Sequence, residues 1–468
     1  TTSRSVASSS ATAIPTDNAT PAHCRVSGML APEIAFEVNL PDRWNDRLFM
    51  IGNGGLAGER PDDARRSGER AAALSRGFVQ ASTNTGHDAQ TEPGGTFVEN
   101  DPQKATDYAF RAVHLTAVTA KTIANRYYGH PVAYSYWNSC SNGGRQGLIE
   151  AQRYPGDFDG IVANAPWVDQ TGFTIGAIWN QQVLTETPVS AAKMNLVANR
   201  VMAQCDAIDG LEDGLIDDPR NCSFDVARDV PSCPAGTDNA TCLTPAQASA
   251  VQKVYDGPMG LDGPIFSGFM LGSEQAGGWN NLILPAGPGA TPADFGLADS
   301  ILRYLVFDPP KPDYDFRDFD FDRDVELLDR WGRLADATDP DLLAFRERGG
   351  KLIMTYGWAD AILQPMMGVD YYERAVTANG PEGTDFMRLF MLPGMAHCAG
   401  GIGPDQYDAV TAVIDWVERG AAPDSLIARR IVDSETERSR PICPYPQVAR
   451  YSGEGSEDDA SNFECVAP

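Results

Sequence analysis

Several things are scarce in this chain, and each scarcity narrows what it can do. No apolar run approaches the ~20 residues that a bilayer-spanning helix requires, so no transmembrane helix is expected. Positive charge is short, with 37 Lys and Arg against 64 Asp and Glu and a net charge of −27. Nucleic acid and anionic membranes repel so acidic a surface, and neither is expected as a partner. Histidine occurs five times, at His23, His87, His114, His130 and His397, so any imidazole base comes from that set. His23 lies in a polar lead segment, His114 in a helical pattern and His130 before a proline at a turn, and all three read as structural. His397 differs, because it follows a strand pattern and a glycine.

The stretch around which the rest is organised is Tyr136-Trp137-Asn138-Ser139-Cys140-Ser141-Asn142-Gly143-Gly144-Arg145. An apolar run from Pro131 to Trp137 leads in, and Arg145 to Arg153 reads as a helix. Strand, sharp turn and helix is the layout of a nucleophile elbow. Such a turn strains the serine backbone and presents its hydroxyl at the positive end of a helix. The usual G-x-S-x-G is altered here, because Ser139 stands where the first glycine would be. The partners lie downstream in order. Lys351 to Tyr356 reads as a strand ending in Gly357-Trp358-Ala359-Asp360, and Phe386 to Leu392 as another ending in Pro393-Gly394-Met395-Ala396-His397-Cys398. Serine, acid, histidine, each just past a strand, is the chain order of an α/β-hydrolase triad. A serine hydroxyl attacks only when a neutral imidazole takes its proton and a carboxylate fixes the tautomer.

The same fold needs two N–H donors for an oxyanion. Arg47 to Ile51 reads as a buried strand and runs into Gly52-Asn53-Gly54-Gly55-Leu56-Ala57-Gly58. That loop is expected to supply one donor, from Gly55 or from Gly54, and Asn142 the other. A phosphate loop is excluded, because no Lys-Ser/Thr follows and no helix pattern opens there. If Ser141 and His397 are within hydrogen-bond reach, their neighbours Cys140 and Cys398 come within disulfide distance too.

Together, C-S-x-G-G-R around Ser141, G-W-x-D at Asp360 and G-M-x-H-C at His397 closely resemble the tannase and feruloyl esterase family, from about Ala31 to about Cys465. The resemblance implies Ser141 as nucleophile, His397 as base, Asp360 as orienting acid and a Cys140–Cys398 bridge. It also places a T-G-H segment like Thr85-Gly86-His87 near the site, where His87 is given a structural role. The substrates it implies are esters of aromatic acids: hydroxycinnamates such as ferulate first, with gallate esters or terephthalate mono-esters as alternatives. A peptidase with the same triad and a non-catalytic calcium-binding module are the rival readings. Leu363 and Trp279 are candidates for the substrate pocket, with Phe266 and Phe269 as further ones. A free carboxylate on the substrate would call for an arginine, and Arg303, Arg317 and Arg330 are available.

Asp206 to Asp218 carries carboxylates at close spacing broken by turn glycines, a pattern that suits the many oxygen ligands of Ca²⁺. It is not an EF-hand, which ends in a glutamate. Resemblance to the family's calcium site implies Asp206, Asp209 and Asp213 as side-chain ligands and Leu211 and Leu215 as carbonyl ligands, for a structural ion. The nine cysteines include the close pairs Cys205/Cys222, Cys233/Cys242 and Cys443/Cys465, with Cys24 left over. They point to disulfides and to a secreted or periplasmic location. Thr1 to Thr20 has neither an initiator methionine nor an apolar centre, and reads as the start of a mature or trimmed chain.

Strands at Ile34–Leu40, Gly77–Ser82 and Asp159–Asn164 alternate with a helix at Asp107–Arg126, the signature of a mostly parallel sheet. About 180 residues then separate the Asn164 strand from the Asp360 strand, far more than one crossover needs. The expected organisation is a polar lead at 1–30, an α/β-hydrolase catalytic domain from 31–167 and 349–468, and an inserted lid domain at 168–348 holding the calcium loop. Beyond His397, a helix at Asp405–Arg419 and a polar tail from Arg429 stapled by Cys443 and Cys465 complete the chain.

Overall fold

The computed structural model describes residues 6–17, 20–99, 101–287 and 289–468. One nine-stranded sheet runs through it: β1 (Val6–Ile14), β2 (His23–Leu30), β3 (Ile34–Pro41), β4 (Arg47–Ile51), β5 (Val79–Thr83), β6 (Tyr134–Cys140), β7 (Gly160–Asn164), β8 (Lys351–Gly357) and β9 (Met387–Leu392). Their order across the sheet is β1-β2-β3-β5-β4-β6-β7-β8-β9. From β5 to β9 every pairing is parallel, and β1, β2 and β3 add an antiparallel wing. Residues 1–30, read from sequence as a polar lead, therefore contribute two strands. Ser, Thr and Ala dominate β1, the outermost strand, whose side chains from Ser9 to Ala13 are exposed, so no apolar alternation marks it.

The parallel strands are buried on both faces, and alternate residues divide between two cores. Leu48, Met50, Trp137, Ile161, Ala163, Leu352, Met354 and Leu389 pack into one. Phe49, Ile51, Tyr136, Val162, Ile353, Phe390 and Leu392 pack into the other. Helices α1 (Ser67–Ser75), α2 (Ala112–Tyr128), α3 (Asn142–Arg153), α4 (Pro365–Ala378) and α5 (Ala409–Arg419) supply the layers. This is the α/β-hydrolase architecture, with all parallel strands delivering their C-terminal ends to one edge.

Three helices depart from their sequence reading, and of these α5 begins at Ala409 rather than Asp405. The pattern at 107–126 resolves into a wide turn, Asp107–Arg111, and then α2. The elbow helix α3 begins at Asn142, three residues before Arg145, because Gly143 and Gly144 lie inside it rather than in a loop. The polar tail from Arg429 is built largely of strands: Leu426–Val432 pairs with Glu435–Ile442, and Val448–Tyr451 with Phe463–Val466. The Cys443–Cys465 bridge joins these two hairpins.

Strands β7 and β8 pair directly, so residues 165–350 form one insertion between sheet neighbours. It holds helices Gln170–Glu186, Ala191–Cys205 and Pro245–Asp256 and a core of its own around Val197, Val201, Val251, Phe269 and Trp279. Helix α4 meets the sheet at Gly368, where a Cβ would stand 2.1 Å from the ring of the fully buried Tyr356. Gly368→Ala is therefore expected to push α4 off β8 and lower stability by about 2 kcal/mol. A denaturant melt checks it, and an unchanged midpoint would contradict this packing.

Candidate active site

Ser141 sits between β6 and α3 with φ 63° and ψ −126°, a left-handed conformation that costs a non-glycine residue about 1–3 kcal/mol. Its backbone is held from three sides. The Ser141 N–H donates to Asn164 O at 2.9 Å, and Ser141 O accepts from Arg145 N–H and Trp167 N–H, both at 3.0 Å. Glycine is required next to it: a Cβ on Gly143 would stand 2.0 Å from Ser139 Oγ, and one on Gly144 2.7 Å from Pro166 Cα. The turn thus keeps its close packing although Ser139 replaces the usual glycine.

Asp360 and His397 meet, with His397 Nδ1 2.7 Å from Asp360 Oδ2. Asp360 is fully buried, and its other oxygen accepts from the N–H groups of Ile362 at 2.8 Å and Leu363 at 2.9 Å. Those two donors fix the direction in which the buried carboxyl group points. Leu363 is 1% exposed, and its backbone serves the acid directly. The imidazole is about a fifth exposed, so Nε2 remains free to exchange a proton with a hydroxyl. Cys140 and Cys398 are bonded, with Cα atoms 5.9 Å apart, so the residue before Ser141 is joined covalently to the residue after His397. Cys205–Cys222, Cys233–Cys242 and Cys443–Cys465 are also bonded, and Cys24 is unpaired among the described residues.

Asn142 is the first residue of α3 and is wholly buried. Its Oδ1 accepts from Arg145 Nε at 2.7 Å and lies 3.2 Å from Tyr108 Oη, which is equally 3.2 Å from Gly55 O. Gln170 Nε2 donates to Tyr108 Oη at 2.8 Å, and Trp331 Nε1 donates to Gln170 Oε1 at 3.1 Å. Arg145 is buried against the Tyr108 ring and donates to the carbonyls of Ala109 and Ala335. A polar network thus ties the elbow and the Gly55 turn to the insertion. No sequence motif announced it; the available signal was an arginine, Arg145, directly after the two glycines of the elbow. The loop after β4 is fixed by Asn53 N–H donating to Gln146 Oε1 at 3.0 Å, and Gly55 has φ 48°. Leu297 of the insertion lies 3.7 Å from where a Gly55 Cβ would be. His87 stacks on Phe97 with ring centroids 4.2 Å apart and backs onto Gly58. Burial, and then the Lys104 charge, push its pKa down to about 4, as suits a neutral structural imidazole.

Trp279 does not belong to a pocket. It is 1% exposed, donates from Nε1 to Ser273 Oγ at 3.0 Å and packs on Tyr255 and Phe269 in the core of the insertion. An indole that finds both an apolar nest and an acceptor is satisfied there. Phe269 shares that core, while Phe266 fills the space left by Gly172. Arg303, Arg317 and Arg330 are each paired with a neighbouring carboxylate, of Asp299, Asp315 and Asp308.

Asp206 to Leu215 folds back on itself, with Gly214 N–H donating to Asp206 Oδ1, Leu211 N–H to Asp209 Oδ1 and Leu215 N–H to Asp213 Oδ1. The Cys205–Cys222 bond closes the loop. Burial first, and then repulsion from Asp213, push the Asp206 carboxyl above its ordinary value, and the same causes act on Asp209. Crowded carboxylates are the kind of oxygen donor a hard cation such as Ca²⁺ takes, although both Asp213 oxygens already accept here, from Leu215 N–H and Arg440. Arg440 and Arg438 offset part of that charge at Asp213.

Sheet order, the left-handed serine and the carboxylate-held imidazole are those of an α/β-hydrolase, and the relatives make it a carboxylic ester hydrolase. The chain belongs to the tannase and feruloyl esterase family, whose model matches residues 18–466. It is 34% identical over 519 aligned residues to the mono(2-hydroxyethyl) terephthalate hydrolase of Piscinibacter sakaiensis, covering 96% of this chain and 86% of that protein. It is 32% identical to a probable feruloyl esterase B-1 of Aspergillus oryzae, covering 93% of this chain and 81% of that one. The crystal structure of feruloyl esterase B from Aspergillus oryzae superposes with a TM-score of 0.85 at 30% identity, over 100% of this chain and 97% of that one.

If the Cys140–Cys398 bond sets the reach between the Ser141 and His397 loops, Cys140→Ala with Cys398→Ala is expected to lower kcat about tenfold or more. The other three bonds should keep the protein folded. Steady-state kinetics check it, and an unchanged kcat would show that the bond only stabilises.

Proposed function

We propose that the protein hydrolyses esters of aromatic acids through an acyl-enzyme on Ser141, with feruloyl-type esters as the first substrate class. The carrying observation is the 2.7 Å contact between His397 and Asp360 on a loop bonded covalently to the residue before Ser141. Ser141 Oγ attacks the ester carbonyl carbon while its proton passes to His397 Nε2. Asp360 holds the tautomer that makes this possible and stabilises the imidazolium. The oxyanion is held by the N–H groups of Asn142 and of Gly55 or Gly54. The imidazolium then protonates the departing alcohol. Water, deprotonated at His397, attacks the acyl carbon, and Ser141 leaves with its proton restored.

The substrate class rests on the relatives, named for feruloyl and terephthalate esters. The order of preference follows the several relatives named as probable feruloyl esterases. The approach of Leu297 to Gly55 supports reading 168–348 as a lid that shields the acyl group from water. Four disulfides support a secreted or periplasmic location.

Methyl ferulate, methyl gallate, mono(2-hydroxyethyl) terephthalate and p-nitrophenyl acetate form the deciding panel. Methyl ferulate should turn over fastest, and Ser141→Ala should lose about 10⁴-fold or more in kcat. Residual full activity in Ser141→Ala would remove the serine from the mechanism. The calcium loop, with Asp206, Asp209 and Asp213 and the Leu211 and Leu215 carbonyls, is proposed to hold a structural ion away from the chemistry. Chelation should lower the melting temperature while leaving ester hydrolysis below that temperature unchanged. Activity lost with no change in melting would assign the ion a catalytic place instead.

A further inference from the structure

A second cluster of metal-ligating groups lies outside both the ester site and the calcium loop. His114 on α2, Glu150 on α3 and Asp157 in the turn after α3 place one ligand atom each so that all lie within 4.8 Å of one another. His114 Nδ1 is 2.6 Å from Asp157 Oδ2, and the ring is stacked on Tyr154 with centroids 3.9 Å apart. Taken alone, that pair is an ordinary His–Asp contact near the surface. Glu150 is what it leaves unexplained. Its side chain is 1% exposed, and neither carboxylate oxygen has a hydrogen-bond partner among the described residues. A carboxylate shut away from water without donors is among the costliest arrangements a fold can hold. Lys121 does not relieve it by contact, because its Nζ donates to the carbonyls of Gly156 and Asp157.

We propose that His114, Glu150 and Asp157 form a binding site for a divalent transition metal ion, zinc in particular. Two carboxylates and one imidazole neutralise a dication and give it three protein ligands, leaving a fourth position for water through the quarter-exposed His114 edge. Zinc ligands at about 2.1 Å stand about 3.4 Å apart in a tetrahedron, so binding has to widen the 2.6 Å His114–Asp157 contact by about 1 Å and bring Glu150, which lies within 4.8 Å, to the same spacing. Imidazole also separates this site from the all-oxygen loop at Asp206, which suits calcium. Bound zinc would clamp α2 to α3, the helix whose first residue is Asn142.

The test uses the full chain without an affinity tag, stripped with chelator, dialysed into calcium buffer and titrated with zinc chloride. Zinc per chain and melting temperature are the readouts. Wild-type protein should hold one zinc more than either His114→Ala or Glu150→Gln, with at least tenfold tighter retention, and only the wild type should melt higher with zinc. Glu150→Gln keeps the size of the side chain, so a folded variant is available even if His114→Ala is unstable. Equal zinc uptake in wild type and Glu150→Gln would overturn the proposal. So would no uptake by the wild type, which would leave Glu150 as a carboxylic acid sharing its proton with Asp157.

Discussion

The covalent bond between Cys140 and Cys398 is the constraint on which the geometry of the site depends. In the sheet, β6 and β9 are separated by β7 and β8. Adjacent strands are about 4.8 Å apart, so the ends carrying Ser141 and His397 start about 14 Å from each other. The loop after β9 has to fold back across two strand ends for an imidazole to serve the serine. The bond fixes that fold-back and closes 258 residues of chain, worth about 5 kcal/mol of loop-closure entropy if it acts on the unfolded chain. Cys398, like Ser141, has a left-handed backbone, with φ 65°.

Strain at the serine is tolerated because its surroundings are over-determined. Hydrogen bonds to Asn164, Arg145 and Trp167 hold the turn. Behind them, Asn142, Arg145, Tyr108, Gln170 and Trp331 form a buried network reaching into the insertion. Through this network, residues of the insertion help fix the first turn of the elbow helix. Asp360 follows the same logic, with two backbone N–H donors on one oxygen and His397 on the other.

What was legible in the sequence was local. The elbow, the Asp360 and His397 strand ends and the cysteine beside each are short motifs whose spacing carries their chemistry, and the structure brings Asp360 to His397 and bonds Cys140 to Cys398. The parallel strands were legible because they are apolar on both faces. β1 was not, because an exposed edge strand of Ser, Thr and Ala lacks the alternation that reveals burial. Trp279 was misplaced because an aromatic in an insertion has the same sequence signal whether it faces a ligand or its own core. The Tyr108–Arg145–Gln170 network and the His114–Glu150–Asp157 cluster join residues from separate elements, and no periodicity encodes such meetings.

The most direct measurement is rapid acid quench of the enzyme during turnover of methyl ferulate, followed by peptide mass analysis. A feruloyl adduct on the peptide containing Ser141, absent from Ser141→Ala and accumulating in His397→Ala if any acylation persists there, is the predicted result. Turnover with no adduct on that peptide, or with an adduct on another residue, would contradict acyl transfer through Ser141.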